Sequence, residues 1–90
     1  MRLDHRRIHL VGAGGAGMSA IAKVLAGMGH EVSGSDQRGG STLDRLEDFG
    51  ISTHTGHHPE VARASDLVVA SSAVPDQDPE LLAAAEAGVP

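Results

Sequence analysis

The sequence has no cysteine, tryptophan or tyrosine, and Phe49 is its one phenylalanine. Without cysteine, the chain can form neither a disulfide framework nor a thiolate zinc site. No apolar run approaches the ~18 residues of a membrane span. No apolar stretch near the N-terminus precedes a small-residue cleavage site, so we expect no signal peptide. These absences predict a cytoplasmic location and a core built from aliphatic side chains and methionine.

Positive charge is also scarce. The formal net charge is -5 and the isoelectric point is near 5.5, which argues against duplex nucleic acid as a partner because its phosphates require a basic surface. The one basic run comprises Arg2, Arg6 and Arg7, is interrupted by Asp4, and is interpreted as a solvated N-terminus. At 90 residues, the whole chain (1–90) is predicted to form one small domain.

The fold class is predicted from the alternation of two hydrophobic patterns. Apolar runs predict four strands, at 8–11, 31–35, 51–54 and 66–71, and each is followed by a segment with helical spacing or helix-capping residues. The order βαβαβαβα predicts an α/β fold, a three-layer Rossmann-like parallel sheet of about four to five strands with helices on both faces. The sequence finishes at "GVP", where a fifth strand would begin, and we expect a fragment of a longer, multidomain protein.

Helix ends and helix faces are predicted in the same way. Ser41 would cap the second helix, with Asp44 in a weak capping box. His58 and Asp78, each followed by proline, would begin the third and fourth helices. The inward-facing residues would be Met18, Ile21, Ala22 and Leu25 in the first helix, Leu43, Leu46 and Phe49 in the second, and Leu81, Leu82 and Ala85 in the fourth.

The segment "GAGGAGMS", Gly12 to Ser19, matches two phosphate-binding patterns. Its glycines fit G-x-G-x-x-G, the dinucleotide turn, and its ends fit the frame of G-x-x-x-x-G-K-[ST], the triphosphate loop. Met18 stands where the second pattern requires lysine. A thioether cannot supply the charge that holds the outer phosphates, and Met18 also lies on the apolar helical face, so we interpret its side chain as core.

The segment is therefore interpreted as a cradle for a diphosphate, because it joins a predicted strand to a predicted helix. Gly12 would allow the tight turn, Gly14 would let a phosphate approach the backbone, and Gly17 would let the helix pack closely on the strand. The alternative is a glycine-rich turn that binds no ligand.

Polar residues at the other strand ends are predicted to lie at the same edge of the sheet. Asp36 follows Gly17 by nineteen residues, where dinucleotide folds place an acid on the ribose hydroxyls, and Ser35 could add a hydroxyl contact. Ser71 and Ser72 end the fourth strand and would hydrogen-bond phosphate or sugar. We assign no nucleophile to them, because no G-x-S-x-G turn is present. For each of these residues the alternative is a solvated loop side chain.

The clustered histidines His54, His57 and His58 do not share a helical face as metal-binding H-x-x-x-H pairs do, so no metal site is predicted. His57 could still stack on a ligand base or hydrogen-bond it.

Five segments together resemble a known family: "IHLVGAGGAGMSAIAKVL", "VSGSD", "TGHHPE", "VVASSAVPDQDPEL" and "AGVP". They closely resemble the N-terminal domain of the Mur ligases of peptidoglycan synthesis, in particular the branch that adds L-alanine to UDP-N-acetylmuramate. The resemblance runs from about Ile8 to Pro90. It implies a Rossmann-like domain that binds a UDP-sugar and no nicotinamide cofactor. The parent enzyme would use ATP and Mg to activate the muramoyl carboxylate as an acyl phosphate, which the amine of L-alanine then attacks.

The resemblance also implies a set of UDP-sugar-binding residues. The glycine loop and the start of the helix would face the diphosphate, Asp36 and His57 would lie near the uridine, and residues 71–73 would border the diphosphate and sugar. The set is Gly12, Gly14, Gly15, Ala16, Gly17, Met18, Ser19, Asp36, His57, Ser71, Ser72 and Ala73. ATP, Mg and L-alanine would bind to other domains. We therefore assign no catalytic residue, metal or cofactor to this chain, and expect no ligase activity and weak UDP-sugar binding from it alone.

Three alternatives remain open at the level of sequence. The first is a ligase that attaches a recycled peptide to the same UDP-sugar. The second is an NAD(P)-binding Rossmann domain, which would share the glycines and Asp36. The third is an interaction module that binds no nucleotide.

Overall fold

Strands and helices alternate along residues 6–90, the part of the chain that the computed structural model describes. Arg2 and Asp4 of the basic run lie outside the described residues. The elements are β1 (Arg7–Val11), α1 (Ala16–Gly27), β2 (Glu31–Asp36), α2 (Ser41–Glu47), β3 (Ser52–Thr55), α3 (Pro59–Arg63), β4 (Leu67–Ala70) and α4 (Pro79–Glu86). The predicted order is confirmed.

The strands form one parallel sheet in the order β3-β2-β1-β4. β1 lies inside the sheet, and its His9 is opposite Ser33 of β2 and Val68 of β4. Helices connect the strands, as parallel pairing requires. The predicted α/β Rossmann-like class is confirmed. None of the helices among residues 6–90 combines the length and the apolar character that a membrane crossing needs.

One face of the sheet carries the apolar core. Successive side chains of a strand point to opposite faces, so Ile8 and Leu10 share a face with Val32. Onto it pack helices α1 and α2, through Met18, Ala22, Leu43 and Leu46. Met18 is thus a core residue, as its place on the apolar helical face predicted.

Several residues predicted to face inward are exposed instead. Ile21 on α1 is 43% exposed, and Phe49 is 54% exposed because α2 ends at Glu47. The Phe49 ring lies under the ammonium of Lys23, 5.0 Å from its centroid. In α4, Leu82 and Ala85 are exposed, whereas Glu80, Ala83 and Ala84 are buried. The predicted buried face of α4 is therefore wrong, because the helix turns Glu80 toward the sheet in place of Leu82.

The opposite face of the sheet is polar where α4 covers it. His9, Ser33 and Ser35 alternate with the core residues of β1 and β2, and the carboxylate of Glu80 reaches them from α4. Every buried side-chain nitrogen and oxygen in the described part of the chain has a hydrogen-bond partner.

The helix ends differ from the prediction at α2. Gly40 is the N-cap there, with a φ of 139°, and Ser41 is the first helical residue. The predicted Ser41–Asp44 capping box is therefore wrong. Glycine alone adopts that φ readily, so the chain turns one residue earlier. His58 precedes α3 but makes no capping bond with its side chain. The predicted cap at Asp78 is confirmed, because its carboxylate accepts from the amides of Glu80 and Leu81.

The residues after α4 return to the sheet beside β4. The amide of Val68 donates to the carbonyl of Pro90 at 2.8 Å. Pro90 therefore lies where the sequence predicted the start of a fifth strand.

Candidate functional site

The glycine loop crosses from β1 to α1 over the end of β2. Gly12 has a φ of +84°, which confirms the tight turn. The amides of Gly12 and Ala13 both donate to the carbonyl of Ser35, at 2.8 and 2.9 Å. The loop is thus anchored to the strand that ends in Asp36.

Asp36 braces the loop directly. Its Oδ2 accepts from the amide of Gly14 at 2.9 Å and its Oδ1 from the amide of Arg38 at 3.0 Å. A Cβ on residue 14 would lie 2.8 Å from Asp36 Oδ2. Gly14 therefore makes room for a carboxylate of the protein itself, where the sequence analysis expected room for a phosphate.

The close packing expected at Gly17 is found elsewhere. A Cβ on residue 17 would meet nothing within 4 Å, whereas a Cβ on Gly34 would lie 2.7 Å from the Cβ of Ala13. The prediction that Gly17 allows close packing of the helix on the strand is therefore wrong. The close contact is between the loop and β2, and the sequence signal for it was a lone glycine inside a strand.

The start of α1 presents free backbone donors. The N-cap is Gly15, which has no side chain to accept a bond, and the first helical bond runs from the amide of Ser19 to the carbonyl of Gly15. Among the described residues, no group accepts from the amides of Ala16, Gly17 and Met18. Three aligned amides and the helix dipole make this end of α1 suitable for an anion.

The side chains at this helix start do not point to a ligand. Met18 belongs to the core. The hydroxyl of Ser19 is buried and donates to the carbonyl of Ala16 at 2.9 Å. Met18 can therefore serve a ligand only through its backbone amide, and the amide of Ser19 is already bonded to the carbonyl of Gly15.

A cleft of about 490 Å³ opens at the carboxyl ends of the strands. It lies between the glycine loop, the end of β2, the turn before α3 and the segment after β4. Six of the predicted residues line it: Gly12, Gly15, Asp36, His57, Ser71 and Ala73. Gly14, Ala16 and Ser19 line neighbouring surface hollows, and Ser72 is an exposed turn residue that does not line the cleft.

Segment 71–74 closes the side of the cleft next to the loop. It forms a turn in which the amide of Val74 donates to the carbonyl of Ser71 at 3.0 Å. The Ser71 hydroxyl accepts from the amide of Ala73 at 3.2 Å. A Cβ on Gly12 would lie 3.3 Å from the Cβ of Ser71, so the two segments touch.

His57 is held at the far side of the cleft. Its Nδ1 lies 3.5 Å from Asp78 Oδ2, and its Nε2 lies 3.2 Å from the Gln37 amide nitrogen. The Gln37 NH₂ group only donates, so His57 Nε2 accepts from it, and a neutral ring then carries its proton on Nδ1, the nitrogen that faces Asp78. One edge of His57 is thereby fixed while the side chain stays partly exposed.

Sequence reasoning missed the buried carboxylate under the cleft. Glu80 is fully buried, and it accepts from the Ser35 hydroxyl, from His9 Nε2 at 3.2 Å and from the amide of His58 at 2.7 Å. Burial alone would raise the pKa of Glu80, but these hydrogen bonds and the proximity of His9 outweigh it and lower the pKa to about 2. The Ser35 hydroxyl is thus committed to Glu80 and is not a ligand contact.

A signal for this network was present in the sequence. His9 interrupts an apolar strand, and Ser33 and Ser35 alternate in the next one. Period-two placement puts all three on one face, and a buried histidine requires a partner. Nothing local marked Glu80 as that partner, because it is 71 residues away.

His54 and His58 pack against each other. The rings of His54 and His58 lie 4.8 Å apart, and burial together with the nearby His58 and His9 lowers the pKa of His54. Within residues 6–90, no group of three or more His, Cys, Asp or Glu side chains is arranged to hold a metal ion.

Comparison with known proteins identifies the family. Residues 7–90 match the Mur ligase family, catalytic domain. The chain is 48% identical, over all of its 90 residues, to a UDP-N-acetylmuramate–L-alanine ligase of Acidithiobacillus ferrooxidans, and spans 19% of that relative's length.

Solved structures agree with this match. The crystal structure of the UDP-N-acetylmuramate–alanine ligase of Thermotoga maritima has a TM-score of 0.89 and 36% identity, covering 96% of this chain and 20% of that one. A murein peptide ligase from Psychrobacter arcticus has a TM-score of 0.83 and 27% identity, covering 93% of this chain and 18% of that one. With a family match over nearly its whole length, the chain belongs to the Mur ligase family.

Proposed function

We propose that this domain binds UDP-N-acetylmuramate for an ATP-dependent ligase that joins L-alanine to it in the cytoplasm, during peptidoglycan synthesis. The observation that carries the proposal is the shared cleft. Gly15 at the N-cap of α1, Asp36, Ser71 and Ala73 line one opening at the carboxyl ends of parallel strands, where open α/β sheets bind nucleotides. The free amides of residues 16–18 follow Gly15 directly.

The charge distribution supports one orientation of the ligand. Three lining side chains are acidic (Asp36, Asp78 and Glu80), and Arg38 is the one lysine or arginine among the lining residues. A diphosphate next to the buried acids would be repelled. We therefore place the diphosphate at the amides of residues 16–18 and the uridine toward Asp36 and His57. The sugar would extend along Ser71, Ser72 and Ala73.

The domain's part in the reaction would be to hold the substrate. In the proposed ligase, the muramoyl carboxylate would take the terminal phosphoryl group of ATP and release ADP, and the amine of L-alanine would then displace that phosphate to form the amide. Mg²⁺ would offset the charge of the ATP phosphates. Met18 stands where a triphosphate loop has its lysine. We therefore assign those sites to parts of the relatives that this chain does not cover.

The relatives favour this substrate over the alternatives. Identity is 48% to an L-alanine-adding ligase and 27% to a murein peptide ligase. The peptide ligase remains a second candidate because it has the same fold. A nicotinamide cofactor would use the same glycine loop, so binding of NADH is measured in the same experiment as binding of the UDP-sugar.

The test is an amide NMR titration of the chain with UDP-N-acetylmuramate, and separately with NADH and with ATP. We expect saturable shifts with the UDP-sugar at residues 12–19, Asp36 and residues 71–73, and none with the other two. Asp36→Asn should weaken binding by about tenfold, which is ~1.4 kcal/mol. Asp44→Asn, the same change on the exposed face of α2, should leave it unchanged. Saturation with NADH, or no response to the UDP-sugar, would contradict the proposal.

A further inference from the structure

The Glu80 carboxylate joins three segments that are distant in sequence. Oε1 accepts from Ser35 at the end of β2 and from His9 in β1, and Oε2 accepts from the amide of His58 before α3. The Glu80 side chain that accepts these three bonds has no exposed surface and lies beneath the floor of the cleft.

Two of these donors are adjacent in sequence to proposed ligand residues. Ser35 precedes Asp36, and His58 follows His57. The same first turn of α4 presents Asp78, whose Oδ2 lies 3.5 Å from the His57 ring. The start of α4 therefore fixes Asp36, at the end of β2, and His57, in the turn before α3, at one spacing across the cleft.

Each hydrogen bond in this network can be assigned a donor and an acceptor. A carboxylate only accepts, so His9 must donate from Nε2 to Glu80. His9 Nδ1 lies 2.7 Å from the Ser33 hydroxyl, which donates to it when the ring is neutral. The buried chain runs from Ser33 through His9 to Glu80.

Fold stability alone does not explain a buried acid at this place. Desolvating a carboxylate is costly, and well-packed apolar residues of similar volume are often at least as stabilising. What a fully satisfied polar network adds is a fixed geometry.

We propose that Glu80 is a positioning residue for the UDP-sugar site. Through Ser35 and the His58 amide, it sets the distance between Asp36 and His57. This inference rests on the proposed function for its ligand, but the positioning itself is measurable without one.

The test variant is Glu80→Gln, which keeps the volume and the number of hydrogen bonds but replaces charge-assisted bonds with longer and weaker neutral ones. The glutamine oxygen can face the His58 amide while its NH₂ faces Ser35 and His9. The serine hydroxyl then rotates to accept, and His9 changes tautomer to accept at Nε2 and donate from Nδ1. The matched control is Glu86→Gln, which removes an exposed carboxylate from the same helix.

Three measurements decide the question. Long-range ¹⁵N–¹H spectra of the imidazoles should show the Nε2–H form of His9 in the unmodified chain, and the Nδ1–H form in Glu80→Gln. The amides of Asp36 and residues 57–58 should shift in Glu80→Gln and not in Glu86→Gln. Affinity for UDP-N-acetylmuramate should fall by at least about fivefold in Glu80→Gln alone.

The outcomes separate this inference from the proposed function. If the UDP-sugar binds Glu80→Gln as tightly as the unmodified chain, the positioning role is overturned. If the unmodified chain binds no UDP-sugar, the proposed function fails, and the positioning role is then judged from the amide signals of Glu80→Gln. Unmoved signals of Asp36 and His57 in that variant overturn the inference, and moved signals support it. If Glu80→Gln does not fold, an Nδ1–H tautomer of His9 in the unmodified chain overturns the network, and the Nε2–H tautomer supports it.

Discussion

The contact between Ala13 and Gly34 predicts a strong coupling between two small residues. A Cβ added at Gly34 would lie 2.7 Å from the Cβ of Ala13, whereas carbon atoms in contact sit ~3.5–4.0 Å apart. Gly34→Ala must therefore move the glycine loop away from β2 by about 1 Å. Overpacking of this kind costs ~1–3 kcal/mol, and we expect about 2 kcal/mol.

The reciprocal change removes the atom that is in the way. Ala13→Gly alone should cost about 2 kcal/mol, from a lost buried methyl and a more flexible unfolded chain. In the double variant the new methyl occupies the vacated space, so the total should be about 1 kcal/mol instead of the additive sum of about 4 kcal/mol. The coupling energy is then about 3 kcal/mol, at the upper end for residues in contact.

Urea unfolding of the unmodified chain, the two single variants and the double variant measures these free energies. They follow from the transition midpoints, provided that the dependence of the unfolding free energy on urea has the same slope in all four. In thermal melts, Gly34→Ala alone should lower the Tm by ~8–16 °C. Additive effects within about 0.5 kcal/mol would refute the reasoning, because they would mean that the loop and β2 do not touch at these two positions.

Four further predictions concern the glycine loop and the start of α4. Gly14→Ala should weaken UDP-sugar binding and lower the Tm, because its Cβ would displace the Asp36 carboxylate. Gly17→Ala meets open space in a helix and should stabilise the fold by up to about 1 kcal/mol; a lower Tm would contradict this. Asp78→Ala removes the α4 cap and should cost about 1 kcal/mol in urea unfolding. It should also broaden the His57 ring signals, and unchanged unfolding would show that the cap is not needed. Glu80 titrates in the fold at a pKa of about 2, below its ordinary 4.5, so its contribution is present above pH 4.5 and is lost as the pH falls toward 2. We expect about 3 kcal/mol of stability to disappear over that window, and Glu80→Gln should flatten this part of the pH–stability curve.

The fold was predictable because its signals are local. Glycines at 27, 29, 50 and 88 end the helices or follow them closely, and Asp78 and proline begin the last one. The apolar strand segments alternate with the helices that these signals bound, and this alternation is typical of one architecture, a parallel sheet covered by helices.

Errors in the prediction arose where a residue's role depends on a distant partner. Leu82 was assigned to the wrong side of α4, and Glu80 was not recognised as an inward-facing residue, because an acid is ordinarily a surface residue. The partners that bury Glu80 are His9, Ser35 and the His58 amide. The Gly34 contact likewise depends on the position of Ala13, which follows only from the loop's path over β2.

The network around Glu80 also has a consequence for the order of folding. Its acceptor lies in the last helix and one donor lies in the first strand, 71 residues earlier. Closing so long a loop comes late, after the local β–α units have formed. The docking of α4 should therefore contribute little to the folding transition state, with φ-values near zero at Ala83 and Ala84. The polar face of the sheet would then stay hydrated until the final step, and native-state hydrogen exchange should find α4 among the first parts to open.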